Sequence, residues 1–133
     1  MGLRHKGKYE LSIHQFAFVY HYAQQYREWK REAQAILDTG IKAIDYDKES
    51  GGNKMTDPTM ETASRRLYLE SKVQIIEDTC READKFIWMY LLKAVTEEGV
   101  TYQKLRESGM PCGRNYYFDR RRRFYWILYK KIG

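Results

Sequence analysis

The chain has 133 residues and a formal net charge of +6, and 43% of its residues are hydrophobic. This length suits one small domain, or a small domain with a helical extension, and is too short for several full-sized domains. No stretch approaches the roughly 20 apolar residues of a membrane-spanning helix, and residues 1–16 lack the apolar run of a signal peptide. We therefore expect a cytoplasmic protein that does not bind a membrane.

The first half of the chain predicts two helices that pair as an antiparallel hairpin. Residues 8–38 contain neither Pro nor Gly, and apolar side chains recur at three- and four-residue steps, as on the buried face of a helix. This apolar stripe consists of Leu11, Phe16, Val19, Tyr20, Ala23, Tyr26, Ala33 and Leu37. A second helix is predicted over residues 58–81, because Asp57 suits an N-cap and Pro58 suits the first helical position. Its apolar stripe consists of Met60, Ala63, Leu67, Val73, Ile76 and Cys80.

Three further helices are predicted after the hairpin. Residues 83–97 place apolar side chains on one side, namely Phe86, Ile87, Tyr90, Leu91, Ala94 and Val95. Thr101 is expected to cap a short helix, a Gly- and Pro-containing turn follows, and the last helix is predicted over residues 113–131. The predicted architecture is all-α, with a helical hairpin in residues 1–82 that contains a flexible loop at 39–57, and a helix-turn-helix region in residues 83–133.

Positive charge is concentrated at one end of this arrangement. Residues 100–133 contain nine Lys and Arg and two acidic residues, so they carry +7, whereas residues 1–99 together carry −1. A near-neutral body with one basic end indicates a polyanionic partner, and double-stranded DNA is the partner that we expect. The alternatives are a cationic helix end that complements the helix dipole, and an RNA partner.

A short helix, a tight turn and a basic last helix are the parts of a DNA-binding helix-turn-helix, in which the last helix enters the major groove. Its small core is predicted to contain Phe86, Tyr90, Leu105, Met110, Tyr117, Phe124 and Leu128. Side chains in the first turns of such a helix reach base edges, and the candidates are Arg114, Asn115, Phe118 and Arg122. The candidates for phosphate contact are Thr101, Tyr102, Lys104, Arg121 and Arg123.

The same region resembles a known family. The residues Cys112, Arg114, Asn115, Tyr116, Tyr117, Arg120 to Arg123, Phe124 and Leu128 resemble the C-terminal region of phage late transcription regulators of the ArpU/RinA type, which is similar to the helix-turn-helix of sigma-70 region 4. Gly113 and Asp119 depart from that pattern. The resemblance implies a regulator of phage or prophage genes in a bacterial host, with RNA polymerase as a further partner.

Other chemistry has weak support in the sequence. Cys80 and Cys112 are expected to be free thiols in a reducing cytosol. His14 and His21 share a helix face but lack further ligands for a metal, so we expect no metal, no cofactor and no enzymatic activity.

Two other functions remain open at this stage. One is a DNA-packaging recognition subunit, similar to a small terminase, that assembles as a ring. The other is a polymerase-binding adaptor with little DNA affinity of its own. The aromatic residues of the first helix lie on more than one face, and this pattern predicts a homo-oligomer through the N-terminal helices.

Overall fold

The computed structural model describes residues 7–50 and 58–133, and their side chains over residues 7–39 and 59–133. These residues contain no strand, so the predicted all-α class is confirmed. The helices of the described ranges are α1 (Ile13–Gln24), α2 (Tyr26–Ser50), α3 (Pro58–Ala83), α4 (Trp88–Thr96), α5 (Tyr102–Glu107) and α6 (Arg114–Ile132).

The chain divides into two compact units. One unit combines the chain up to Tyr26 with Ile75–Gly133, and the other is Arg27–Gln74. This division differs from the boundary predicted at residue 82, because α1 packs against α4 and α6. The N-terminal helix therefore belongs to the same compact unit as the basic C-terminal region.

The helix predicted over residues 8–38 is wrong at its start and at its middle. It begins only at Ile13, because the Ser12 hydroxyl accepts a hydrogen bond from the Gln15 amide while the Gln15 side chain accepts one from the Ser12 amide, which together form a capping box. It ends at Gln24, where the Gln25 amide donates to the Tyr22 carbonyl at 3.2 Å in a tightened last turn. No Gly or Pro marks this break, so the sequence pattern did not reveal it.

The predicted loop at residues 39–57 is also partly wrong. Helix α2 continues through Gly40 to Ser50, and residues 51–57, including the predicted N-cap Asp57, lie outside the described residues. A glycine inside a helix costs only about 1 kcal/mol relative to alanine. A helix of 25 residues can offset that cost.

In the unit Arg27–Gln74, a residue earlier in α2 contacts a residue later in α3, so the two helices run in opposite directions. Arg65 Nε lies 3.0 Å from Glu32 Oε2, and Lys72 Nζ lies 4.9 Å from the centre of the Trp29 ring. Among the described side chains of this unit, the buried ones are Trp29, Ala33, Leu69 and Val73. Met60 and Leu67 are exposed, contrary to the predicted stripe, because they lie about half a turn around α3 from the buried Leu69.

The core of the other unit forms where α1, α4 and α6 pack together. Its fully buried residues include Val19, Ile76, Ile87, Leu91, Val95, Leu105, Met110, Tyr117, Phe124 and Leu128. Much of the predicted small core is thus buried, and Tyr90 is half-buried. Two aromatic side chains of α1 contact α6, since the Phe16 ring centre lies 5.0 Å from that of Tyr125 and the Phe18 ring centre 6.5 Å from that of Tyr129. Phe16 is half-buried, whereas Phe18 is exposed.

The helix predicted over residues 83–97 is shorter than expected, and Phe86 is on its outside. Helix α3 ends at Ala83, and the Asp84 carboxylate accepts hydrogen bonds from the amides of Phe86 at 2.8 Å and Ile87 at 2.9 Å. This turn directs Ile87 into the core and leaves Phe86 86% exposed. The prediction of a buried Phe86 is wrong because it assumed a continuous helix.

Candidate nucleic-acid interface

The turn between α5 and α6 is fixed by main-chain hydrogen bonds. The Met110 amide donates to the Leu105 carbonyl and the Gly109 amide to the Arg106 carbonyl, both at 3.0 Å, which is the pattern of a Schellman motif. Gly109 has φ +108°, and a Cβ at this position would lie 3.4 Å from the Tyr90 hydroxyl. Because a side chain would be strained there, glycine is required for so short a connection.

The side chains of the same turn strengthen its geometry. The Thr101 hydroxyl accepts from the Lys104 amide at 3.1 Å and caps α5, as predicted. Arg106 Nη1 donates to the carbonyls of Met110 and Cys112, each at 3.2 Å. Helix α6 is therefore held at a defined position relative to α5.

Aromatic side chains pack between α5 and α6. The Tyr102 ring centre lies 5.7 Å from that of Tyr117 and 6.4 Å from that of Phe118, and the rings of Tyr117 and Phe118 meet edge to face at 4.8 Å. The Arg114 guanidinium lies 4.9 Å above the Tyr102 ring and 5.8 Å from the Phe118 ring. A guanidinium held against aromatic rings has fewer orientations to lose when it binds a ligand.

One arc of α6 faces the core. Tyr117, Phe124, Tyr125 and Leu128 are buried along it. Burial raises the pKa of Tyr117 and raises that of Tyr125 to about 12. These side chains fix how the helix is rotated about its axis.

Another arc near the start of α6 is open, and we call it the open arc: Arg114, Asn115, Phe118 and Arg122. These are the four predicted base-contact residues, and all are exposed except Phe118, which is half-buried. Successive helical residues lie about 100° apart, so Asn115, Phe118 and Arg122 fall within about 60° of one another and Arg114 lies beside Phe118. In the described part of the chain, Asn115 and Arg122 have no side-chain hydrogen bond or ion pair.

Two of the four consecutive arginines lie elsewhere, and we call them the anchored arginines: Arg120 and Arg123. Arg120 forms an ion pair with Asp119 at 2.5 Å, and its Nη1 donates to the Ala83 carbonyl at 3.4 Å. Arg123 Nη1 donates to the Tyr9 hydroxyl at 3.1 Å. Arg123, a predicted phosphate contact, is therefore already bonded to another residue of the protein. It lies about 100° around the helix from Arg122.

The other predicted phosphate contacts differ in their exposure and in the bonds that they already make. Arg121 is half-buried with its guanidinium 5.4 Å from the Tyr125 ring, and Lys104 is exposed with its Nζ 3.1 Å from the Gly99 carbonyl. Thr101 is exposed but its hydroxyl caps α5. Tyr102 is half-buried, and its hydroxyl donates to the Cys112 carbonyl at 3.1 Å, so it is positioned to hold the turn and Arg114.

Sequence reasoning missed two residues that organise this region. Asp84 is buried and accepts the Tyr116 hydroxyl in addition to the two amides of its own turn, and this hydrogen bond raises the pKa of Tyr116. Arg106 was counted only as charge, although it holds the α5–α6 turn. An acidic residue directly after a helix is a turn signal that could have identified Asp84.

In the described ranges, no three His, Cys, Asp or Glu side chains lie close enough to hold a metal ion, and no helix there is long and apolar enough to cross a membrane. Comparisons with family models, with curated proteins and with solved structures found no match. The resemblance to the ArpU/RinA type therefore stays a prediction.

Proposed function

We propose that this protein is a sequence-specific DNA-binding transcription regulator that reads the major groove with α6. The observation that carries the proposal is the open arc, where two arginines, an asparagine and an aromatic ring lie together near the start of a helix whose residues Tyr117, Phe124 and Leu128 are buried. Arginine pairs bidentately with guanine, and asparagine with adenine. In a helix-turn-helix, a short helix and a tight turn fix the orientation of the reading helix, and α5 and the turn after it would take those parts here.

The charges next to the open arc support the same function. Arg121 lies on α6 itself, about 20° around the helix from Arg114, and Lys104 is exposed on α5. Both suit phosphate contacts that fix register without reading sequence. The acidic residue of this helix, Asp119, is paired with Arg120. We assign the regulator to phage or prophage genes of a bacterial host on the resemblance alone, and RNA polymerase is its proposed further partner.

The first test is the salt dependence of binding to random duplex DNA, followed by fluorescence anisotropy. Each phosphate contact contributes about 0.9 to the slope of log affinity against log salt. The double variant Lys104→Gln with Arg121→Gln is expected to flatten that slope by about 1.8. The matched control is Arg27→Gln with Arg31→Gln, which removes the same charge from exposed positions on α2.

The outcomes separate phosphate binding from an effect of net charge. If both double variants flatten the slope equally, the open arc is not where DNA lies. If wild-type protein binds no duplex at low salt, the regulator proposal fails and the adaptor function takes its place. A large closed ring in solution would instead favour the packaging subunit.

A further inference from the structure

A second exposed feature lies away from the open arc. Phe86 is 86% exposed and Met89, in the first turn of α4, is 67% exposed. Beside Phe86 is a shallow, largely open cavity of about 500 Å³ with mainly apolar walls. It is lined by Phe86, Ile87, Pro111, Cys112, Gly113 and Tyr116. We call it the Phe86 groove. An exposed large apolar surface next to a concavity is typical of an interaction site.

The walls of the Phe86 groove are held in place by hydrogen bonds. Asp84 joins the two sides, because its carboxylate bonds the amides of Phe86 and Ile87 on one side and the Tyr116 hydroxyl on the other. The Cys112 carbonyl accepts from Arg106 and from Tyr102. The groove therefore exists before a ligand binds, which lowers the entropic cost of binding.

The exposed charges around the groove are mainly positive. Lys85 directly precedes Phe86, is exposed, and has no side-chain partner in the described part of the chain. Arg106 bonds only carbonyl groups, and Arg120 lies 5.3 Å from the Tyr116 ring. The two carboxylates nearby are both engaged, Asp84 as described and Asp119 with Arg120. A ligand that fills the groove with apolar groups thus meets cations at its edges.

We propose that the Phe86 groove binds a segment of a partner protein in which aromatic or aliphatic residues are flanked by Asp and Glu. The apolar residues of that segment fill the groove against Phe86 and Tyr116, and its carboxylates face Lys85 and Arg106. Nucleic acid fits this surface poorly, because the groove is apolar and the Tyr116 hydroxyl is already bonded. Tyr116 lies about 160° around α6 from Phe118, so this surface is separate from the open arc.

The test is selection of binders to the full chain from a displayed library of random linear peptides. Enriched peptides are expected to combine aromatic or aliphatic residues with Asp and Glu. Affinities of the synthesised peptides are then measured by fluorescence anisotropy for wild type, for Phe86→Ser and for Lys85→Glu. Both positions are exposed, so the fold should be retained, and circular dichroism verifies this for each variant.

The expected result is a loss of about 30-fold for Phe86→Ser, the effect of removing an aromatic anchor, and a smaller loss for Lys85→Glu. The matched control is Leu67→Ser, an exposed apolar residue on α3 that should leave affinity unchanged. Basic peptides, no enrichment, or binding that survives Phe86→Ser would overturn the proposal. So would displacement of the peptide by random duplex DNA, or self-association of wild type that Phe86→Ser abolishes. None of these measurements requires the DNA proposal to be correct.

Discussion

The arginines of α6 differ in how they are used, although four of them are consecutive in sequence. Arg120 and Arg123 are bonded to Asp119, to Tyr9 and to main-chain carbonyls, whereas Arg122 is exposed on the open arc. The difference arises because neighbouring residues of a helix point about 100° apart. A run of like charges in a helix is therefore divided among several surfaces and does not form one patch.

The net charge of residues 100–133 is not the charge that a ligand would meet. Residues 100–133 carry +7 by composition, but Arg120, Arg123 and Lys131 already bond other residues of the protein, the last Glu82 at 2.8 Å. Among the cations of residues 100–133, Arg114 and Arg122 of the open arc are exposed and have no ion pair in the described part of the chain. Charge concentration predicts that a polyanion binds, while the helix rotation decides which side chains would bind it.

The largest expected effect tests the two sides of α6 with the same residue type. Phe124→Ala empties a fully buried site and should lower the free energy of unfolding by about 3–5 kcal/mol. Phe118→Ala removes a half-buried ring and should cost about 1 kcal/mol, the value of an aromatic pair. Urea denaturation measures both values, and equal losses would contradict the assignment of Phe118 to the open arc.

The next largest effect is on DNA binding, and it distinguishes the arginines of the open arc from the anchored arginines. Arg114→Ala with Arg122→Ala removes two proposed base contacts and should weaken binding to a selected DNA site by at least about 30-fold, since each contact contributes about 1–3 kcal/mol. Arg120→Gln with Arg123→Gln removes the same charge from the anchored side and should change that affinity by less than about threefold. Similar losses in the two variants would show that net charge, and not position on α6, determines binding.

A smaller effect probes the buried side through Tyr125. Within the described part of the chain its buried hydroxyl has no hydrogen-bond partner, so Tyr125→Phe should raise the free energy of unfolding by about 1 kcal/mol at neutral pH. Burial raises the pKa of Tyr125 to about 12, so the unfolded chain loses this proton first, near pH 10.

The dependence of the free energy of unfolding on pH above about pH 10 provides the control for that variant. The contribution of the protonated Tyr125 to wild-type stability should be fully present below about pH 10 and should be lost between about pH 10 and 12. The Tyr125→Phe variant should therefore show a shallower fall in stability over this range. Denaturation across this range measures it. An unchanged alkaline fall in the variant would mean that other groups cause the pH dependence.

The smallest expected effect concerns one anchored arginine. Arg123→Gln loses the bond to the Tyr9 hydroxyl and should lower the free energy of unfolding by about 0.5 kcal/mol, because the contact is only partly shielded from water. Arg122→Gln should leave stability unchanged within error. A reversed order in thermal denaturation would show that Arg122, and not Arg123, stabilises the fold.

Several features were predictable from the sequence because they depend on local chemistry. Thr101 caps α5, Pro58 begins α3, and Leu105, Met110, Tyr117, Phe124 and Leu128 are buried as their spacing indicates. The exposure of Arg114, Asn115 and Arg122 was predictable for the same reason, since the helical period separates them from the buried Tyr117, Phe124 and Leu128. Capping and periodicity act over a few residues, and the sequence displays them directly.

Other features were not predictable because distant residues cause them. The break at Gln25 has no Gly or Pro to mark it, and it coincides with the packing of α1 against α4 and α6. Phe86 was expected in the core, but the bonds of Asp84 to its own turn and to Tyr116 place it outside. The anchored state of Arg123 depends on Tyr9, more than one hundred residues earlier.

The sequence by itself determined the all-α class, the basic end of the chain and the arc of α6 that carries Arg114, Asn115, Phe118 and Arg122. Only the tertiary structure decided which arginines are already bonded, which unit contains α1, and that Phe86 borders a groove. The physical reason is the distance along the chain over which each effect acts. Helix propensity, capping and charge are properties of neighbouring residues, whereas burial and hydrogen bonding between helices depend on which segments the folded chain brings together.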